Sequence, residues 1–114
     1  MATLNLRRFS KPETLLAIAS EIDLDAYDRK VVANYLLPNG RLKTIPAQRK
    51  KLEVILRHIC RNFQKGEQYS EQEVNKILSR YHEDTATLRR ELVGYQLLAR
   101  RSGIYWRVED DERE

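Results

Sequence analysis

Two short helical patterns separated by only a few residues constrain the fold more than any other feature of this sequence. The first follows Ser70-Glu71-Gln72-Glu73, a capping box in which the serine and the last glutamate satisfy each other's backbone amides. The second begins after a turn at His82-Glu83, with Asp84 or Thr85 as its N-cap. So short a connection forces two helices to cross steeply, as in a helix-turn-helix. The apolar positions are Val74, Ile77, Leu78 and Tyr81 in the first helix and Leu88, Leu92 and Tyr95 in the second.

A longer amphipathic pattern precedes these two and predicts a helix that packs against both. Pro46 is a residue favoured at the first helical position, and the pattern continues to about Phe63. Lys50, Arg57 and Arg61 fall on one face, because steps of seven and eleven residues return to nearly the same helical angle. The opposite face carries one apolar stripe. That stripe comprises Leu52, Ile55, Leu56, Ile59 and Phe63.

Two short apolar stretches near the end of the chain predict a β-hairpin. The strand candidates are Leu97-Leu98-Ala99-Arg100 and Ile104-Tyr105-Trp106-Arg107-Val108, with Arg101-Ser102-Gly103 as the turn between them. Gln68-Tyr69 could add a third, very short strand. Successive aromatic residues of the last strand are expected to point to opposite faces.

The order helix, short helix, tight turn, helix and hairpin predicts a winged helix-turn-helix fold of the mainly α class. Three helices and the C-terminal β-hairpin make up this domain, residues 40–108, and the hairpin is the wing. Residues 1–39 are expected to form an N-terminal helical extension, with one helix from near Pro12 and another from about Asp25 to Leu37. The second of these ends at Pro38-Asn39-Gly40, a strong turn signal. Residues 109–114 form an acidic tail.

Composition bounds the class of protein. Apolar residues make up 41% of the 114 positions, which is enough for a folded core, and charged residues make up 33%. The single cysteine, Cys60, excludes an intramolecular disulfide and the usual cysteine-based zinc sites. No apolar run approaches the roughly 20 residues that span a bilayer, and the N-terminus lacks the apolar stretch of a secretory signal. We therefore expect a cytoplasmic protein without a membrane partner.

The net charge of +4 is distributed unevenly. Residues 41–65 contain eight bases and one acid and so carry +7, whereas residues 109–114 carry five acids and one base, or −4. A basic segment of this kind indicates a polyanionic or acidic partner, and a solvated helix face is the alternative. The acidic tail follows the predicted wing directly, so we expect it to compete with nucleic acid at low salt.

The sequence contains no pattern that indicates catalysis. His58, Cys60 and His82 are the only soft metal ligands, and the first two lie two positions apart on a helix and so point in different directions. No nucleophile–base pair, phosphate-binding glycine loop or carboxylate dyad is present. We therefore predict a binding protein that is not an enzyme and needs no metal or other cofactor.

Six residues are candidates for nucleic-acid binding, and double-stranded DNA is the expected ligand. On the outer face of the third helix of the domain, arginine can bond a guanine edge through two donors, and threonine can contact phosphate or a thymine methyl. Arginines near the wing suit contacts to the DNA backbone. The alternative for the helical arginines is pairing within the fold, for instance with Asp84 or Glu91, and the alternative function is docking on a protein partner. The candidates are Thr87, Arg89, Arg90, Arg100, Arg101 and Arg107.

Several short motifs in a fixed order resemble a bacterial family that is catalogued as a domain of unknown function. They are Gly40-Arg41-Leu42 with Ile45-Pro46, Tyr69-Ser70-Glu71 with Glu73-Val74-Asn75, then His82, Asp84 and Leu88-Arg89-Arg90 with Leu92-Val93, and finally Tyr105. In other proteins of that family the domain can follow an ArsR-like transcriptional regulator domain. The resemblance implies a winged-helix fold and a link to transcription, but it supplies no known activity.

Overall fold

The computed structural model of the protein describes residues 26–109. The chain divides into two compact units, Met1–Lys30 and Val31–Glu114, and residues 26–30 are the described part of the first. The helix predicted from near Pro12 lies outside the described residues. In chain order the elements are α1 (residues 26–35), α2 (Arg49–Cys60), β1 (Gln68–Ser70), α3 (Glu71–Leu78), α4 (Thr85–Gly94), β2 (Leu98–Arg101) and β3 (Ile104–Arg107).

The predicted turn at Pro38-Asn39-Gly40 is confirmed, but the helix before it ends at residue 35 and not at Leu37. Leu36 leaves the helix because it forms an isolated antiparallel bridge with Leu42. The Leu37 amide donates to the Arg41 carbonyl over 2.7 Å, which closes the turn. Gly40 has a φ of +88°, a conformation that glycine adopts without a Cβ clash.

The helix α2 is shorter at both ends than its apolar pattern predicts. It begins at Arg49 and not at Pro46, because Gln48 is extended (φ −74°, ψ 127°) and serves as the N-cap. It ends at Cys60, where i→i−3 hydrogen bonds to the Ile59 and Cys60 carbonyls tighten the chain into a turn. The predicted apolar stripe is confirmed, and all five of its residues are buried.

Both helix caps predicted on either side of the tight turn are present. The Glu73 amide donates to the Ser70 hydroxyl over 3.1 Å, and the Ser70 amide donates to the Glu73 carboxylate over 2.7 Å. This reciprocal pair is the capping box, and it starts α3 directly after β1. Asp84, and not Thr85, caps α4, because its carboxylate accepts from the Thr87 amide over 3.1 Å.

The strands form one antiparallel sheet in the order β1-β3-β2. The short third strand predicted at Gln68-Tyr69 is therefore confirmed as β1. With three strands the fold is mixed α/β, so the predicted mainly α class describes it only roughly. The hairpin turn consists of Ser102 and Gly103, with φ of +54° and +80°, as a two-residue type I′ turn requires. Arg101, predicted in the turn, is the last residue of β2 and pairs with Ile104.

One core joins α2, α3, α4 and the sheet. Of the apolar positions predicted in these three helices, all are buried except Ile77, Tyr81 and Tyr95, which are half-buried. Tyr105 and Leu98 add the inner face of the sheet. Among residues 26–109, no helix is both long and apolar enough to cross a membrane. The completely buried aliphatic residues are Ile55, Leu56, Ile59, Val74, Leu78, Leu88 and Leu92.

The C-terminal end of α4 is held by a Schellman arrangement without glycine at the left-handed position. The Leu97 amide donates to the Leu92 carbonyl over 2.9 Å, and the Gln96 amide donates to the Val93 carbonyl over 3.0 Å. Gln96 has a φ of +63°, which is strained for a residue with a Cβ. The nearest glycine, Gly94, lies two residues earlier, still inside the helix.

Candidate nucleic-acid interface

Arg89 of α4 contacts two polar residues of α3, and its side chain is mostly buried. Its side chain is 18% exposed, and its Nη2 atom lies 3.8 Å from a carboxylate oxygen of Glu71. Its Nη1 atom donates to the side-chain oxygen of Asn75. These contacts bridge α4 to α3, so the guanidinium has a structural partner and presents little of its surface to solvent.

Arg90 differs from its neighbour because its side chain is exposed. It interacts electrostatically with Asp84, whose two carboxylate oxygens accept hydrogen bonds from Thr87. The hydrogen bond from the Thr87 hydroxyl, followed by that from the Thr87 amide, lowers the pKa of the Asp84 carboxyl below its usual value, and Arg90 contributes a smaller electrostatic part. The Thr87 hydroxyl is thus committed to the helix cap, whereas Arg90 faces solvent.

The pleat of the sheet sends the two arginines of β2 to opposite faces. Arg100 is the cross-strand partner of Tyr105, so both lie on the inner face, and the Arg100 guanidinium carbon sits 5.7 Å from the Tyr105 ring centre. Arg101 lies on the other face, beside the hairpin turn, and is exposed. Trp106 is on that outer face and half-exposed, while Tyr105 is buried, as their alternation predicts.

Arg107 stands apart from the other candidates. Its Nη1 atom donates to the Phe63 carbonyl over 3.1 Å, which ties β3 to the turn after α2. With Trp106 and Glu109 it lines a separate cleft near Gly66. Arg107 therefore lies at the base of the hairpin and is not part of the group of arginines near α4.

A cavity of about 200 Å³ lies between α4 and the hairpin. Three arginines line it, two from the helix and one from β2, together with Tyr105 of β3. We call this cavity the α4–wing groove. It is lined by Arg89, Arg90, Val93, Arg100 and Tyr105.

The groove joins parts of the molecule that the sequence predicts separately. The sequence gives arginines of the last helix and arginines near the hairpin as two groups of candidates, and the structure brings members of both groups into one concave surface. Of the six candidates, Arg89, Arg90 and Arg100 meet there, whereas the other three lie outside it. Those three are Thr87, Arg101 and Arg107.

Two residues of α3 take part in this site although the sequence did not single them out for it. Glu71 accepts a hydrogen bond from the Tyr105 hydroxyl over 3.3 Å in addition to its contact with Arg89. Asn75, one helical turn later, holds the other end of Arg89. Their spacing of four places them on one face of α3, which the sequence does show. Which arginine that face meets depends on how α3 and α4 pack, and no local pattern indicates it.

The internal partners expected for the helical arginines were partly wrong. Glu91 pairs with Arg49 of α2 over 3.4 Å, and the Arg49 guanidinium lies over the Tyr95 ring at 5.1 Å. Asp84 is occupied by Thr87, as described above. Because carboxylates on α4 point towards α2 and towards its own N-terminus, the partner of Arg89 has to come from α3.

A second basic surface lies on the outside of α2 and is made of Lys50, Arg57 and Arg61, which we call the back face of α2. All three residues are exposed. Arg57 lies 3.4 Å from Glu53 on the same helix, and Arg61 lies 3.4 Å from the His58 ring nitrogen. These contacts are local, between residues three or four apart on one convex helix surface.

The three soft ligands named in the sequence do not form a metal site. Among residues 26–109, no group of three or more His, Cys, Asp or Glu side chains is placed to hold a metal ion. Cys60 is buried, and its thiol donates to the Leu97 carbonyl over 3.6 Å. Burial, and then the neighbouring Arg61, lower the pKa of the His58 imidazole. The His82 ring accepts a hydrogen bond from the Asp84 amide over 2.9 Å in the tight turn.

Comparison with known protein families identifies the chain as a member of one of them. Residues 41–107 match the family described as "Uncharacterized protein conserved in bacteria (DUF2087)". The match covers more than half of the chain, and the protein therefore belongs to this family. It spans every element from α2 to β3, and with them the whole α4–wing groove. No curated protein and no solved structure matches the chain.

Proposed function

We propose that residues 40–108 form a winged helix-turn-helix module that binds double-stranded DNA and acts in transcription. The observation that carries this proposal is the meeting of α4 and the hairpin in one arginine-lined groove. In a winged helix the last helix enters the major groove and the wing contacts the DNA backbone beside it. The order of elements from α2 to β3 is the order that this architecture requires.

The exposed arginines are suited to a polyanion. Arg90 and Arg101 are exposed, and Arg100 faces the groove with its guanidinium over an aromatic ring. Guanidinium groups bind phosphate oxygens through two parallel hydrogen bonds, which a lysine ammonium cannot do. Arg89, Thr87 and Arg107 contribute to this function indirectly, because the side chain of each forms hydrogen bonds within the protein that hold α4 or β3 in place.

The test is the salt dependence of binding to a labelled random-sequence duplex, followed by fluorescence anisotropy. A DNA-binding protein releases counterions, so the logarithm of its association constant falls linearly with the logarithm of the salt concentration, by about 0.9 per neutralised phosphate. We expect a slope that corresponds to several phosphates. Absence of binding at low salt, or binding without a salt slope, would overturn the proposal.

A second candidate function is docking on an acidic protein through the back face of α2. The observation in its favour is that these three basic residues are exposed on a helix that contributes no residue to the lining of the α4–wing groove. Polyglutamate serves as the probe, and removal of the three charges should abolish its retention. Under this alternative, the loss of Arg90 or Arg100 leaves binding unchanged.

A further inference from the structure

In the α4–wing groove, three arginines from two elements line a single cavity. We propose that it binds one phosphate group, held between Arg90 of α4 and Arg100 of β2. This inference rests on the proposed function, because the phosphate is expected to be one of the DNA backbone. It goes beyond the proposed function because it assigns Arg90 to a phosphate of the DNA backbone and not to the edge of a base.

The charges around the groove favour an anion. Three guanidinium groups line it, and Glu71 contacts two of its lining residues, with one carboxylate oxygen towards Arg89 and the other towards the Tyr105 hydroxyl. Glu71 therefore neutralises Arg89 and leaves two positive charges for a ligand. Asp84 also acts on Arg90, but its oxygens accept hydrogen bonds from Thr87.

The contacts around Arg100 hold it ready for a ligand. Its guanidinium carbon lies 5.7 Å from the centre of the Tyr105 ring, which restricts the side chain while leaving its nitrogen donors available. Tyr105 is itself immobile, since it is 1% exposed and its hydroxyl donates to Glu71. A side chain that is fixed before binding loses less entropy when it binds.

Arg89 and Asn75 act here as positioning residues. They bridge α4 to α3 and so hold in place the helix that carries Arg90. Because a phosphate contact fixes the register of a protein on DNA without reading sequence, the pair Arg90–Arg100 would determine how deeply α4 enters the major groove. Sequence reading then falls to residues nearer the N-terminus of α4.

A double-mutant cycle on DNA affinity tests the shared phosphate. Arg90→Ala and Arg100→Ala should each weaken duplex binding by about tenfold, as expected for one charge-assisted hydrogen bond. The double variant should lose clearly less than the product of the two effects, because both side chains act on one group. Arg101→Ala is the matched control: it removes the same charge one residue away on the other face, and its effect should multiply with that of Arg90→Ala.

Sequence preference distinguishes this inference from the proposed function. If the parent binds DNA but Arg90→Ala changes the preference among duplexes, Arg90 reads a base and the shared phosphate is wrong, while DNA binding stands. If the effects of Arg90→Ala and Arg100→Ala simply multiply, the two arginines act on separate groups, and the inference fails in the same way.

Binding of inorganic phosphate tests the site in an experiment that does not depend on DNA. Titration of phosphate against chloride at constant ionic strength should give saturable amide chemical-shift changes at Val93 and Tyr105 in ¹⁵N NMR spectra. Arg90→Ala and Arg100→Ala should abolish these changes, and Arg101→Ala should retain them. Phosphate binding without duplex binding would assign the groove to a small phosphorylated ligand, whereas no phosphate-dependent shift in the parent would overturn the inference.

Discussion

The back face of α2 and the α4–wing groove are both rich in arginine, but they differ in how those arginines are arranged. The back face is convex, and two of its members contact residues three or four positions away on the same helix. The groove is concave, and its arginines come from a helix and a strand that meet only in the folded chain. The two surfaces therefore differ in their shape and in the contacts of their basic residues, although each contains three of them.

The largest expected effect concerns the core beneath each surface. Leu56 of α2 and Leu88 of α4 are both completely buried. Replacing either with alanine leaves a cavity and should lower the free energy of unfolding by about 2–5 kcal/mol, measured by urea denaturation. If either variant kept the stability of the parent, the packing assigned to that helix would be wrong.

Two triple variants compare the surfaces directly, since each removes three positive charges. Removal of two charges in the groove together with that of the exposed arginine beside the hairpin turn should weaken duplex binding by about 100-fold or more, because two or more charge-assisted contacts are lost. Removal of the back-face charges should change it by only about two- to threefold. Comparable losses for both would show that affinity follows net charge alone. The residues are Arg90, Arg100 and Arg101 in one variant and Lys50, Arg57 and Arg61 in the other.

The neighbours Arg89 and Arg90 sharpen the comparison within a single helix. Arg89→Ala should destabilise the domain by about 1–3 kcal/mol, because Asn75 loses its partner in a partly buried position. Arg90→Ala should change stability by less than about 0.5 kcal/mol, as for an exposed side chain. Thermal denaturation of both variants measures the difference, and equal values would contradict the two environments described above.

The end of α4 offers two stabilising substitutions that leave the groove arginines untouched. Gly94 is helical, and a Cβ there would meet nothing within 4 Å, so Gly94→Ala should raise stability by up to about 1 kcal/mol. Gln96→Gly should relieve the strain of the positive φ and add about 0.5–1 kcal/mol. Gln96→Ala is the control: it keeps a Cβ at the residue with positive φ and should therefore not raise stability. A loss of stability in both of the first two variants would show that the Schellman arrangement is misassigned.

The smallest effect is a pH dependence at the start of α4. The pKa of Asp84 is lowered in the folded chain, chiefly by the Thr87 hydroxyl. Its contribution to stability is therefore fully present above the ordinary aspartate value of 3.8 and is lost as the pH falls through the lower folded-state value. Asp84→Asn keeps a cap but removes the titration. The stability difference between parent and variant should narrow in acid, and a constant difference from pH 7 to 2 would contradict this assignment.

The sequence by itself determined the local elements of this protein. The capping box at Ser70 and the apolar stripe of α2 depend on spacing along the chain, and both predictions are confirmed. For the cap of α4 the sequence left Asp84 and Thr85 open, and the structure has Asp84. The hairpin was predicted too, because a turn that contains glycine separates two short apolar stretches, although Arg101 was placed in that turn and belongs to β2. Helix ends were less accurate: neither the extended Gln48 nor the Leu36–Leu42 bridge has a local signal.

Only the tertiary structure decided which arginines are available to a ligand. In the sequence Arg89 and Arg90 are equivalent neighbours, and so are Arg100 and Arg101. The first pair separates because α3 presents Glu71 and Asn75 to one member, and the second because a pleated strand sends adjacent side chains to opposite faces. The strand alternation was predictable, but the face that meets α4 was not. Contacts between α3 and α4 join residues that are distant in the sequence, so the spacing of residues along the chain does not predict them.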